Sequence, residues 1–289
     1  RNTNYAYATQ FTPDYKLTIM AEDGDGTRPR IVAVPPSAGE APRFMRPETS
    51  DLTLIGINIE QKDANGQHTD NSPLRPRGQG TKLWVEDCVF DGQRFEVVRT
   101  DAANLRVYLI NNIIRNNYQQ DKWYKGGGLF FQRANPLDTV VMRDNTYFNT
   151  FARMTHEING SPIKYFEFTN NTVVNVGGMR ELVEYGDDTG TAAFDLGGSL
   201  HLKVENNIFY NFGFMGVDVE FDTLVSVFRY NPLPDSLGEK TFSFKNNNIY
   251  TDPELLAGTP DSAIQMPLLN PEFATYIRNT YDVTDAEAW

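Results

Sequence analysis

The sequence predicts an all-β chain wound as a single parallel β-helix, a solenoid of about eight coils with an asparagine ladder. Three observations predict it. A short pattern returns along the chain: a polar pair, a small or apolar pair, then a polar stop. It reads Asn170-Asn171-Thr172-Val173-Val174-Asn175, with copies at 111–116, 144–149 and 206–211, a weaker one at 246–251, and degenerate ones at 86–91 and 55–60. The second position of each copy falls at 56, 87, 112, 145, 171, 207 and 247, so the steps are 31, 25, 33, 26, 36 and 40 residues. A recurrence of roughly 20–50 residues marks a solenoid, propeller or array. Most copies also follow a short, proline-free β-rich run, such as Leu52-Thr53-Leu54-Ile55, Val107-Tyr108-Leu109-Ile110 or Tyr165-Phe166-Glu167-Phe168. Finally, asparagine tolerates a left-handed bend and its amide bonds backbone groups, so stacked copies would form a ladder between coils.

On these residues, over about positions 50–252, the chain resembles the right-handed parallel β-helices of the pectate-lyase-like superfamily. It is similar to bacterial surface β-helix proteins found beside polysaccharide-degradation systems. The resemblance implies a right-handed winding, an extracellular or cell-surface location, polysaccharide as partner with further surface-complex partners, and a substrate groove on one outer face. It leaves open a polysaccharide lyase acting on uronate-containing glycans, a non-catalytic glycan-binding module, and a structural or adhesive surface component. The ordered Asn-x-Asp, Asp-Asp, Gly-His and Arg-x-Lys set of polygalacturonases is absent, as is the pectin methylesterase stretch.

Composition narrows the classes. The 289 residues are 40% hydrophobic and 12% aromatic, enough for a long core. A net charge of −12 argues against nucleic acid, whose phosphates need a basic footprint. It also weighs against a strongly anionic glycan unless a local basic patch or a divalent cation reverses the sign. No apolar run reaches transmembrane length, and the first residues carry no signal-peptide core, so the targeting segment is expected to lie outside this sequence. Cys88 stands alone, which excludes an internal disulfide, and its place in a degenerate copy predicts a buried structural thiol.

In chain order, residues 1–48 read as an entering coil and loop, within which the acidic turn Ala21–Gly26 lacks the spacing of a calcium loop. Lys62 to Gly80, with His68, Asp70, Asn71, Arg75 and Arg77, reads as a polar excursion overhanging one face. A third strand per coil is expected at 95–99, 129–133, 153–158, 181–185 and 217–221, with Val97, Phe131, Met154, Val183 and Val219 inward. Residues 1–252 thus form the β-helix, and 253–289, where the repeat stops, a segment covering its end.

Three constellations carry candidate chemistry. Arg99, Arg133, His156 and Glu157 lie on the third strands. A lyase needs a base for the proton beside a uronate carboxylate and a cation to neutralise that carboxylate, and the guanidinium fork fits the second task. Alternation lets only one of His156 and Glu157 face the groove. Tyr118, Lys122, Trp123, Tyr124 and Lys125, on a Gly-rich loop, and Gln132 suit sugar stacking and hydroxyl bonding, and would overhang the same face. Asp187, Asp188, Asp218 and Glu220, near Asp195, are carboxylates that would hold calcium, the one cofactor the composition suggests, or pair for glycoside hydrolysis.

Overall fold

The computed structural model describes residues 4–23, 26–34, 43–60, 72–93, 96–117, 129–133, 135–150, 154–158, 161–176, 192–196, 198–211, 226–230, 233–250, 252 and 271–281. Its described strands form three sheets, each parallel throughout. Sheet A has nine strands, β1 (Asn4–Tyr7), β3 (Arg30–Ala33), β5 (Asn58–Glu60), β7 (Val89–Asp91), β10 (Ile113–Arg115), β13 (Thr146–Thr150), β16 (Thr172–Val176), β19 (Ile208–Tyr210) and β22 (Asn248–Tyr250). Sheet C has eight, β2 (Leu17–Met20), β4 (Leu52–Ile55), β6 (Lys82–Glu86), β9 (Arg106–Ile110), β12 (Leu137–Arg143), β15 (Ile163–Thr169), β18 (Ser199–Glu205) and β21 (Thr241–Lys245). Sheet B has five, β8 (Val98–Thr100), β11 (Phe130–Arg133), β14 (Thr155–Ile158), β17 (Ala192–Leu196) and β20 (Ser226–Tyr230). From β6 onward the chain visits C, A and B in turn, and each strand pairs with its counterpart one visit later. This solenoid-like stacking makes the repeat in the sequence a repeat in space.

The corner between sheets C and A explains the recurring polar pair. Its first residue bends left-handed: Asp87, Asn111, Asp144, Asn170, Asn206 and Asn246 have φ between 50° and 60°, a region where short polar side chains are tolerated. At the equivalent Gly56, φ is 70° and a Cβ would sit 3.1 Å from Ala21 Cβ, so glycine suits both the bend and the packing. The second residue turns inward. The backbone N–H groups of Cys88, Asn112, Asn145 and Asn171 donate to Oδ1 of Asn112, Asn145, Asn171 and Asn207 at 2.9 Å, and Asn207 N–H donates to Asn247 Oδ1 at 3.2 Å. Each Nδ2 also donates to a carbonyl of the preceding turn, as Asn171 does to Met142 O at 2.9 Å and Asn207 to Phe168 O at 2.9 Å. Asn112, Asn145, Asn171 and Asn207 are therefore buried and in register, as expected.

The two degenerate copies need a correction of one residue. Strand register aligns Asn58 and Val89 with Ile113, so Ile57 and Cys88, not Gly56 and Asp87, occupy the inward position. Cys88 is fully buried there, and burial pushes its thiol up to about 12.

Inward residues alternate along the strands and fill the centre. Ile114, Tyr147, Val173 and Phe209 from sheet A are buried, as expected. Phe168, Phe194 and Phe228 form an aromatic spine, with ring centroids 4.6 Å apart for the first pair and 4.2 Å for the second. On sheet B, Val97 and Met154 are buried, but so are the next residues, Val98 and Thr155. Leu129 and Phe130 repeat this pairing, and both their N–H groups donate to Met154 O, a local bulge that resets the alternation. The side chain of Phe131 lies outside the described residues, as do Val183 and Val219. At the last coil, the helix Pro271–Tyr281 buries Ala274 and Ile277 in the same core as Phe244 and Ile249. Among the described residues, no helix is long and apolar enough to cross a membrane.

Candidate functional site

Sheet B continues upward past β8 as a file of single parallel bridges, Phe11 to Met45, Met45 to Leu74 and Leu74 to Val98. The segments are bridges rather than full strands because Pro47 and Pro76 follow the bridging residues by two and have no N–H to donate. Met45, Leu74, Val98 and Phe130 stack into the core. The residue after each of the first three points the other way, which places Arg46, Arg75 and Arg99 in one outward row. Their N–H groups donate to Phe11 O, Met45 O and Leu74 O at 2.9 Å, fixing the row to the backbone of three successive turns. A second outward row lies two residues further on, with Glu48, Arg77, Asp101 and Arg133. Here Arg77 N–H donates to Pro47 O and Asp101 N–H to Pro76 O. Arg75 and Arg77, expected on an overhanging excursion, thus belong to the wall of the solenoid itself.

Among the described residues, five guanidinium groups face two carboxylates on these rows, in a chain whose net charge is −12. Asp101 is the hub: its carboxylate accepts from Arg75 Nε, lies 3.9 Å from Arg77 Nε and 3.7 Å from Arg99 Nε, and is only 8% exposed. Glu48 takes Arg46 at 2.8 Å and stands 3.8 Å from Arg77. Beneath the rows, Glu96 is buried and accepts a 3.0 Å hydrogen bond from Ser72 Oγ. Burial pushes the Glu96 carboxyl up, opposed by that bond and by the fields of Arg99 and Arg75. Burial likewise pulls the Arg99 guanidinium below its ordinary value, with Arg75 and Arg133 adding to the effect and Glu96 and Asp101 opposing it. Arg133 is exposed at the lower rim.

Arg99 and Arg133 therefore lie on neighbouring strands, β8 and β11. Backbone register puts His156 level with Phe131, itself level with Arg99, while Glu157 is level with Gln132 and Thr100. The side chains of His156 and Glu157 lie outside the described residues. Gln132 needs a correction. Instead of meeting a substrate it is buried, and its Nε2 donates to Asn135 O at 2.7 Å and Ser161 O at 3.1 Å, joining two turns from inside. Tyr118, Lys122, Trp123, Tyr124 and Lys125, the carboxylates Asp187, Asp188, Asp218 and Glu220, and His68, Asp70 and Asn71 all lie outside the described residues. Among the described residues, no group of three or more His, Cys, Asp or Glu side chains is placed to hold a metal.

No family model, curated protein or solved structure matches this chain. The site rests on its own geometry. Sequence reading missed Arg46 and misplaced Arg75, although a signal was present: Met45-Arg46-Pro47 and Leu74-Arg75-Pro76 repeat an apolar-Arg-Pro triplet. Its proline made the segments read as loop, whereas the apolar-then-arginine alternation carries the register.

Proposed function

We propose that this chain is an extracellular or cell-surface polysaccharide-interacting protein that holds uronate-containing glycans on the arginine rows of sheet B. In this reading the three sheets are the faces of one right-handed parallel β-helix of about eight coils with an asparagine ladder, in the manner of the pectate-lyase-like superfamily. One observation carries it: Arg46, Arg75 and Arg99 stack on consecutive turns, beside Arg77 and Arg133, where strands are spaced by about 4.8 Å. Like charges at that spacing repel, and Asp101 and Glu48 are set among them. A polymer bearing carboxylates offers the rows a matching series of partners, since each guanidinium fork suits a carboxylate. The local sign also removes the objection that the overall acidity raises against an anionic glycan.

A second reading, elimination by a polysaccharide lyase, is favoured by the placing of Arg75, Arg99 and Arg133 on successive turns of one face. The base takes the proton beside the uronate carboxylate, the bond to the leaving glycosidic oxygen breaks, a carbon–carbon double bond forms, and the leaving oxygen takes a proton. Arg75, Arg99 and Arg133 would neutralise the carboxylate in that step.

The test is gel mobility and ultraviolet absorbance on polygalacturonate and other uronate polymers, with and without calcium. A mobility shift that weakens with salt supports binding, and an unsaturated product supports the lyase. Arg133→Ala should weaken the shift about tenfold, taking roughly 1.5 kcal/mol for one charge-assisted contact. No shift with any uronate polymer, or an unchanged shift in Arg99→Ala/Arg133→Ala, would refute the reading.

A further inference from the structure

A second concave feature lies on the outer side of sheet A, away from the arginine rows. It is a groove of about 420 Å³, within the range of roughly 300–1,000 Å³ typical of small-ligand sites and at its smaller end. Its floor is apolar: Val89 and Ile113 are register partners on β7 and β10, and both point outward from the sheet. One wall is the Arg28–Asp87 pair, in which the guanidinium donates to both the backbone carbonyl and the carboxylate of Asp87. Arg115, held by Asp91 at 2.8 Å, forms the opposite rim. Asn58 lines the same groove, and its Oδ1 has no hydrogen-bond partner among the described residues.

We infer that this groove is a binding site for a neutral sugar residue, independent of the arginine rows. Among the described residues the lining charges are matched in pairs, Arg28 with Asp87 and Arg115 with Asp91, so they offer a charged ligand no surplus of opposite sign. What remains is a two-residue apolar floor for the C–H face of a ring, ringed by donors and acceptors for hydroxyls. Arg28 and Asp87 keep 35% and 43% of their side-chain surface exposed, so both stay reachable while paired. The Asp87 carboxylate and the Arg28 guanidinium together present the planar acceptor and donor that adjacent hydroxyls engage.

The experiment titrates the whole chain with the methyl glycosides of glucose, galactose and mannose, and with galacturonate, by ligand-observed NMR and calorimetry. At least one neutral glycoside should bind with a dissociation constant of about 1 mM, the scale of a single small site. Ile113→Trp, which fills the floor, and Arg28→Ala, which removes a wall, should each weaken binding at least tenfold, while Lys164→Ala, at an exposed residue of sheet C, leaves it unchanged. Arg28 is a surface residue, so its variant carries the test even if Ile113→Trp fails to fold. Absence of binding by all three neutral glycosides, a preference for galacturonate that Arg28→Ala removes, or binding indifferent to Arg28→Ala would overturn the proposal.

Discussion

Two files of like residues run along this molecule, and they differ in how each residue meets its neighbours. The inward asparagines are self-complementary: each amide accepts from the next turn's counterpart upstream and donates to a carbonyl, so Asn112 through Asn247 form a closed chain of buried hydrogen bonds. The outward arginines are not. Arg46, Arg75 and Arg99 repeat one sign of charge on successive turns and need partners of another kind, Asp101 and Glu48 among them. Repetition of a neutral amide in a dry corner stabilises the fold. Repetition of a cation on a wet face costs stability, and under the proposed function its use lies in what it attracts.

The largest effect should come from the inner file. Asn171→Ala removes the acceptor for Asn145 N–H and the donor to Met142 O, both buried. At roughly 1–3 kcal/mol for each buried group left unpaired, stability to urea should fall by about 3 kcal/mol, with glycan binding retained in what stays folded. A loss below about 1 kcal/mol would remove the distinction between the two files.

The outer file should respond in two directions at once. Asp101→Asn takes away the carboxylate that Arg75, Arg77 and Arg99 share. Removing one partner of a buried ion pair costs about 3–5 kcal/mol. With part of this cluster in solvent, about 2 kcal/mol is the expected loss in a denaturation experiment. Binding of polygalacturonate should meanwhile tighten about threefold, since one competing negative charge has gone. If stability and binding fall together, the arginine rows serve packing rather than recognition.

Legibility in the sequence follows the same division. The asparagine corners could be read because hydrogen bonding, burial and the left-handed bend all demand the same residue types at each turn, leaving a strong periodic trace. Where other residues meet the same demands, the trace fades: Ile57 and Cys88 fill the inward position apolarly, and the repeat read one residue early. The strands of sheet B were harder. Consecutive buried pairs such as Val97–Val98 and Met154–Thr155 break the period of two, so a face chosen by alternation alone is unreliable there. Arg99 and Arg133 could still be found because guanidinium groups beside apolar residues suggest an outward, anion-seeking face. Gln132 could not be excluded, because a glutamine that joins two turns by backbone contacts looks like any polar strand residue until its neighbours are known. Arg46 and Arg75 were hidden by the prolines that shorten their strands to bridges.

A smaller effect should be readable in pH. The Glu96 carboxyl is raised by burial beneath the arginines. A carboxyl raised in the folded state contributes stability below its ordinary range and loses it as pH rises through the folded value, because the unfolded chain ionises first. Wild-type stability should therefore carry a declining component on going from acid toward neutrality, and Glu96→Gln should abolish that component while keeping the acceptor for Ser72. Denaturation midpoints measured across that range decide it, and an unchanged slope in the variant would mean that Arg75 and Arg99 hold Glu96 fully ionised in the fold.

The smallest change probes where the inner file stops. Cys88 sits one turn above Asn112, its N–H already donating to Asn112 Oδ1 and its Sγ 3.2 Å from Glu86 O. With its thiol buried and pushed up to about 12, it should resist disulfide reagents at mild alkaline pH and react only on unfolding. Cys88→Asn places in this position the residue that five turns below already use, with a similar volume and the same left-handed Asp87 before it. The new amide gains a neighbour on the Asn112 side, while its other side faces Ile57, which has no polar side chain to extend the file. One gained and one weaker contact of about 1 kcal/mol each nearly cancel, so the denaturation midpoint should move little. The same substitution type on the charged file, adding one more like charge to an outward row, has no such self-complementary partner to meet. A loss of more than about 2 kcal/mol in Cys88→Asn would show that the inner corner selects its residues by shape at that turn, and that the amide chain ends at Asn112 because the space for it ends there.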